Sequence, residues 1–211
     1  MKNNVLLLIK NGMYKRSQIL EGSGNESVFL WGARQTGKST LLKVLFPEAL
    51  WFDLLLNEVF ERFNRRPELL REILMAEKEQ QIVVIDEIQR IPALLNEVHW
   101  LITNIGTRFI LSGSSPRKIL HSGANLLGGR ALRYELYPLT SNEIPDFNLL
   151  KALNNGLLPR HYDSKNANKL LSAYIGSYLK DEIATEARIR NIATFQRFLE
   201  VAALTNGEIL N

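Results

Sequence analysis

The chain contains no cysteine. That absence removes disulfides, thiolate zinc sites and cysteine nucleophiles together, and it leaves the redox compartment open. Histidine is scarce as well: His99, His121 and His161 are too few and too scattered for a His-rich metal cluster. Long apolar runs are missing. The N-terminal run covers only residues 5–9, is broken by Lys10, and is followed by no small-x-small cleavage site, so it does not read as a secretory signal. No stretch approaches the roughly 18 apolar residues of a membrane span, so a cytoplasmic protein with no membrane partner is expected. There is no internal repeat or low-complexity tract, and proline and glycine are dispersed. Neither sign of charge dominates, since 26 Lys+Arg against 22 Asp+Glu leave a net +4. Such a small excess permits an acidic partner such as nucleic acid without requiring one. What remains is a globular composition, 45% apolar and 23% charged over 211 residues, enough for one domain and a smaller addition.

Apolar strand-like runs alternate with helix-like stretches over the first two thirds of the chain. Strands are expected at 27–31 (SVFLW), 49–54 (ALWFDL), 81–86 (QIVVID), 108–112 (RFILS) and 131–136 (ALRYEL). Helical spacing covers the residues around Leu41, Leu42 and Leu45, then 57–79, then 92–105, where Pro92 suits a first turn. Near-continuous apolar strands between helices are buried on both faces, which predicts an α/β fold: a parallel sheet layered between helices. From about Asn142 the pattern turns to helices alone. The chain thus divides into a helical lead-in over 1–26, a core over 27–141 and a helical region over 142–211. In that last region Leu170, Leu171, Tyr174, Ile175, Tyr178 and Leu179 form one apolar stripe. Ile192, Phe195, Phe198, Leu199 and Ala202 form another, and each stripe wants a partner surface. A helix stop at 205–207 is followed by a new apolar element at 208–211, where the chain ends. That reads as a truncation.

Residues 32–39 are Gly32-Ala33-Arg34-Gln35-Thr36-Gly37-Lys38-Ser39, a match to GxxxxGK[ST] at every constrained position, placed just after a strand and opening a helix. Glycines let the backbone wrap closely round a phosphate while successive N–H groups and the helix N-terminus face the anion. Lys38 then reaches the β- and γ-phosphates and the Ser39 hydroxyl ligates magnesium, with Thr40 as a phosphate-side neighbour. Arg34, within the loop, points to solvent or to an adjacent acid. A second element ends the third strand at Asp86-Glu87. A carboxylate there sits at the sheet edge where α/β folds bind ligands; Asp86 suits the magnesium and Glu87 the attacking water. The spacing from Lys38 to Asp86, 86 − 38 = 48 residues, leaves room for helix, strand and helix. A third element, 109–115 (FILSGSS), puts Ser112 or Ser114 at the next strand tip, near the γ-phosphate. The acidic pair points to ATP with a built-in catalytic carboxylate; residues 168–171 (NKLL) lack the Asp of a guanine-reading NKxD segment.

Together these elements resemble the AAA-type P-loop ATPases of bacteria and archaea, in particular ATPases whose AAA domain precedes a C-terminal domain of unknown function. The likeness extends through 29–42 (FLWGARQTGKSTLL), 84–95 (VIDEIQRIPALL), 109–118 (FILSGSSPRK) and 124–138 (ANLLGGRALRYELYP). Residues 157–159 (LLP) and 178–210 look like the opening of that C-terminal region. One departure is Trp31-Gly32-Ala33, where relatives tend to open the loop with Gly-Pro-Arg; it touches no constrained phosphate-binding position. The resemblance implies a P-loop NTPase three-layer sandwich with a five-stranded parallel sheet in the order 5-1-4-3-2, with ATP and Mg2+ as cofactors and hydrolysis coupled to conformational change. Relatives look to continue past the position of Asn211 into winged-helix-like and nuclease-like segments. Within that frame Arg117 or Arg130 could supply charge to the γ-phosphate, in cis or toward a neighbouring subunit, so self-association stays open. A surface salt bridge is the alternative for each.

The basic clusters Arg62, Arg65, Arg66 and Lys180, Arg188, Arg190, Arg197 are interleaved with acids. Solvated helix faces with i,i+4 pairs explain them, and a nucleic-acid or protein partner is a secondary expectation. Trp31, Trp51 and Trp100 lie in apolar runs and read as core. Two rival readings are a P-loop kinase, which needs an acceptor site and an Arg-rich lid, and an ATP-dependent switch or scaffold with little turnover.

Overall fold

A computed structural model describes residues 14–17, 20, 23–76, 82–117, 119, 127–178 and 192–206. Five parallel strands form the centre: β1 (Ser27–Trp31), β2 (Leu50–Asp53), β3 (Val83–Asp86), β4 (Phe109–Gly113) and β5 (Ala131–Glu135). They pair in the order β2-β3-β4-β1-β5. Read from the other edge this is 5-1-4-3-2, the expected order. Between them run α1 (Lys38–Leu45), α2 (Asn57–Arg65), α3 (Leu69–Ala76) and α4 (Leu94–Asn104).

The period-two alternation of strand side chains creates the three layers. Phe29, Trp31, Val83, Ile85, Phe109 and Leu111 point to one face and pack with Phe63, Leu70, Leu94, Leu95, Val98 and Leu101 from α2, α3 and α4. Val28, Leu30, Val84 and Ile110 point the other way and pack with Leu41 and Leu42 of α1 and with Leu20. Each strand of the β1, β3 and β4 trio is therefore buried throughout and carries an unbroken apolar run, because neither face meets water. β5 lies at the edge and is more exposed. Trp31 is buried as expected, whereas Trp51 and Trp100 are only partly covered, under Lys43 at 5.5 Å and Arg71 at 5.2 Å from the ring centroids.

Register decides where polar residues emerge. Val28 pairs with Ile110, Trp31 with Gly113, and Asp53 with Asp86. The C-terminal tips of β1, β3 and β4 therefore share one edge of the sheet, the edge at which parallel α/β folds gather their ligands.

The single helix expected over 57–79 is two helices. Arg66 precedes Pro67, and the proline ring disfavours helical backbone at the residue before it. Arg66 accordingly takes φ −139°, ψ 79° and closes α2. Its guanidinium pairs with Glu68 at 3.2 Å and Glu72 at 2.8 Å, and Arg65 pairs with Glu61 at 3.7 Å, so these two members of the basic cluster meet neighbouring acids. Residues 77–79 lie outside the described residues, as do the N-terminal run at 5–9, Lys180, Arg188, Arg190 and the last residues, 207–211.

The chain separates into two compact units, the first running to Leu149 and taking back Leu157–Arg160, the second made of Leu150–Gly156 and the residues from His161 onward. Every element described beyond β5 is helical: a 3₁₀ turn at Ser141–Glu143, then α5 (Leu149–Asn155), α6 (Pro159–Tyr162), α7 (Ala167–Tyr178) and α8 (Ile192–Leu204). Within the second unit, Lys151 Nζ meets Asp163 at 2.5 Å and lies 4.7 Å from the Tyr162 ring centroid. The exposed carboxylate holds the Lys151 ammonium above its ordinary pKa by hydrogen bonding. No helix of the described residues is long and apolar enough to cross a membrane.

Candidate phosphate and metal site

At the shared strand edge a cavity of about 610 Å³ is lined by Arg34, Gln35, Gly37, Lys38, Ser39, Thr40, Leu55, Glu87, Pro159 and Arg160, all within the first unit. Six of the ten come from the loop between β1 and α1 and from the first turn of α1.

The loop is shaped by its glycines. Gly32 passes so close to Leu136 that a Cβ would strike the Leu136 carbonyl oxygen. Gly37 sits at φ +94°, a backbone state that side-chain-bearing residues rarely adopt, and it caps α1. Thr36 is fully buried and its hydroxyl donates to the Ala33 carbonyl at 2.8 Å. Lys38 is buried to 5% exposure, and its ammonium donates to the Gly32 carbonyl at 2.7 Å and the Ala33 carbonyl at 3.1 Å. The loop thus curls round the Lys38 head group, holding a cation where its backbone can also meet an anion. Ala33 is exposed and does not line the cavity. Arg34, expected to face solvent or an acid, is half-buried at the cavity wall.

Beside the loop stand the acids. Asp86 is 3% exposed at the tip of β3. Ser39 Oγ donates to its Oδ2 at 2.5 Å, and the fully buried Ser112 hydroxyl donates to its Oδ1. Ser112, expected near the γ-phosphate, thus meets the carboxylate. Chemically, Ser39 and Asp86 form a pair of hard oxygen donors with no nitrogen or sulfur, the donor set that suits Mg2+.

Glu87 turns away from β3 at φ 61°, and its N–H donates to Asp86 Oδ1 at 3.1 Å. That left-handed residue breaks the strand and brings the second carboxyl to the cavity wall while Asp86 stays behind it. Gln89 Nε2 donates to Glu87 Oε2 and to Ser114 Oγ, the latter at 3.1 Å. The tip of β4 therefore touches the catalytic candidate through Gln89.

The structure brings the loop, Asp86, Glu87, Ser112 and Ser114 together. It does not bring in Arg117 or Arg130: both are exposed and neither lines the cavity. Two contributors escape a reading based on motifs. Gln89 is two residues beyond Glu87 inside the quoted run 84–95, and Arg160 directly follows the quoted 157–159. In each case the neighbourhood is visible in sequence, but the bond from Gln89 to Ser114 and the place of Arg160 at the cavity depend on a return of the chain over a long separation.

Residues 24–145, more than half of the chain, match the family model described as AAA domain. No curated protein matches the chain.

Proposed function

The chain belongs to the AAA-domain family, and on that premise we propose that it binds ATP with Mg2+ in this cavity and hydrolyses it to drive a conformational change. An AAA-type P-loop domain is a nucleotide-binding domain; the identity of the metal, the hydrolysis and the coupling are the proposal. The observation that carries it is the pairing of two differently placed carboxyls. Asp86 is buried and tied to Ser39 and Ser112, while Glu87 faces the cavity.

Each residue then has a task set by its chemistry. The backbone N–H groups from Gln35 to Ser39 and the start of α1 receive the β- and γ-phosphates. Lys38 exchanges its loop carbonyls for phosphate oxygens, and Arg34 and Arg160 at the wall add positive charge for a polyanion. Ser39 and Asp86 would hold the metal through oxygen. Bound Mg2+ supplies neutralisation of the charge on the β- and γ-phosphate oxygens. Glu87 orients a water and accepts its proton as the water oxygen attacks the γ-phosphorus and the bridging P–O bond breaks, releasing ADP; Gln89 fixes which way that carboxylate faces. Little covalent work falls to the protein, and rate comes from positioning and electrostatics.

Glu87→Gln tests the assignment, because the amide keeps the shape of the side chain and cannot take the proton. Phosphate release should fall by about a hundredfold or more while ATP binding persists. Unchanged release would remove Glu87 from the role.

A further inference from the structure

The phosphate loop is held from outside by a residue of the lead-in segment. Arg16, with a side chain 9% exposed, places its guanidinium among three partners. Nη1 donates to the Thr36 carbonyl at 3.1 Å, Nη2 to the Tyr137 carbonyl at 2.5 Å, and Nε lies 3.3 Å from Glu143 Oε1. Glu143 is itself buried. It accepts the Ser17 N–H at 2.5 Å and the Thr140 N–H at 3.0 Å. Lead-in, phosphate loop and the segment after β5 thus meet at one ion pair, joining residues 20, 121 and 126 positions apart in sequence. Burial draws the Arg16 pKa down and the Glu143 carboxylate opposes it.

The contact at Thr36 has a consequence for the site. None of the described peptides is cis, and in a trans peptide the C=O and the following N–H point in opposite directions. A guanidinium on the Thr36 carbonyl therefore fixes the direction of the Gly37 N–H. Gly37, at φ +94°, lacks the side chain that would otherwise resist rotation of that peptide. Of the other anchored carbonyls, that of Gly32 is held by Lys38, which the phosphate competes for, and that of Ala33 by Lys38 together with the Thr36 hydroxyl. Arg16 holds its carbonyl from outside the cavity it does not line. It also lies before residue 24, outside the matched family region.

We propose that Arg16 is a positioning residue for the nucleotide phosphates: by fixing the Thr36–Gly37 peptide it makes ATP affinity depend on docking of the lead-in segment onto Glu143. This rests on the reading of the cavity as an ATP site. Coupling of the two events is reciprocal, so bound ATP strengthens the docking by the same factor.

A second, half-buried arginine provides the control. Arg108 donates to Ser23 Oγ at 2.9 Å and to the Glu26 carbonyl at 3.2 Å, so it too anchors the segment before β1, with no contact to the phosphate loop. Burial lowers its pKa as well. An arginine that serves only stability would behave alike at both positions.

The experiment is an ATP titration with Mg2+ of the full chain beside Arg16→Met, Arg16→Lys, Arg108→Met and Lys38→Ala, with the melting temperature of each nucleotide-free protein recorded. Arg16→Met is expected to raise the Kd about ten- to a hundredfold, the scale of one lost charge-assisted hydrogen bond. Arg16→Lys keeps the cation and most of the stem but cannot span three partners, and it should fall between. Should the Met variant fail to fold, the Lys variant decides. Arg108→Met should melt earlier with its Kd unchanged. Arg16 variants binding as tightly as the unaltered chain, or Arg108→Met weakened equally, would overturn the proposal while leaving the ATP site standing. No ATP binding by the unaltered chain, or no effect of Lys38→Ala, would overturn the site itself and the proposal with it.

Discussion

The two units spend their apolar residues differently. In the first, Val28, Phe29, Leu30, Val83, Val84, Ile85, Phe109, Ile110 and Leu111 are wholly buried. In the second, the described buried apolar residues are Ala152, Tyr162 and Ala167, while Ile175, Phe198, Val201 and Leu204 are exposed. The difference follows from geometry. A parallel sheet has two apolar faces that its own crossover helices cover, so the first unit closes over its core. An amphipathic helix has one apolar stripe and depends on another element to cover it. The first unit can therefore hold a rigid site, and the second presents surface.

Three substitutions probe this contrast. The largest effect belongs to Lys38→Ala, which removes the cation round which the loop curls: stabilisation of the protein against heat by ATP should vanish, read as a melting temperature that no longer rises with nucleotide. Retained stabilisation would show that the closed unit is not where ATP binds. Next comes Ile85→Ala, in the middle of β3 with no exposed surface; chemical denaturation should register a loss of about 2–5 kcal/mol. Leu204→Ala, at 83% exposure on α8, should change stability by no more than about 0.5 kcal/mol. A large loss there would mean that the stripe is covered in solution, and the contrast between the units would have to be redrawn.

Much of the first unit is legible in sequence because its signals are local. A strand buried on both faces is written as an unbroken apolar run, and the phosphate loop as fixed glycines, Lys38 and Ser39 in consecutive positions. The order of Asp86 and Glu87 at the strand tip suggests metal for the first and water for the second, but not how each is buried. Their different exposure comes from the left-handed turn at Glu87, which nothing in the spacing announces. The break at Arg66–Pro67 was also in plain view, since the proline alone disfavours a continuous helix, but the apolar periodicity on either side masked it. Arg16, Gln89 and Arg160 belong to another category. Their roles depend on contacts to Thr36, Ser114 and the cavity wall that only the folded chain creates. Ser112 and Ser114 were interchangeable in sequence; one sits on Asp86 and the other on Gln89. The order of the strands likewise came through resemblance to a family and not through any pattern in the strands themselves.

On the function proposed above, the α/β unit binds ATP with Mg2+ and turns it over. Phosphate release from ATP by the full chain, followed with Mg2+ and again with the metal chelated, and without any phosphate acceptor, tests it most directly. Repeated turnover that requires the metal and needs no acceptor is the expected result. Absence of release, or release only when an acceptor is supplied, would contradict it.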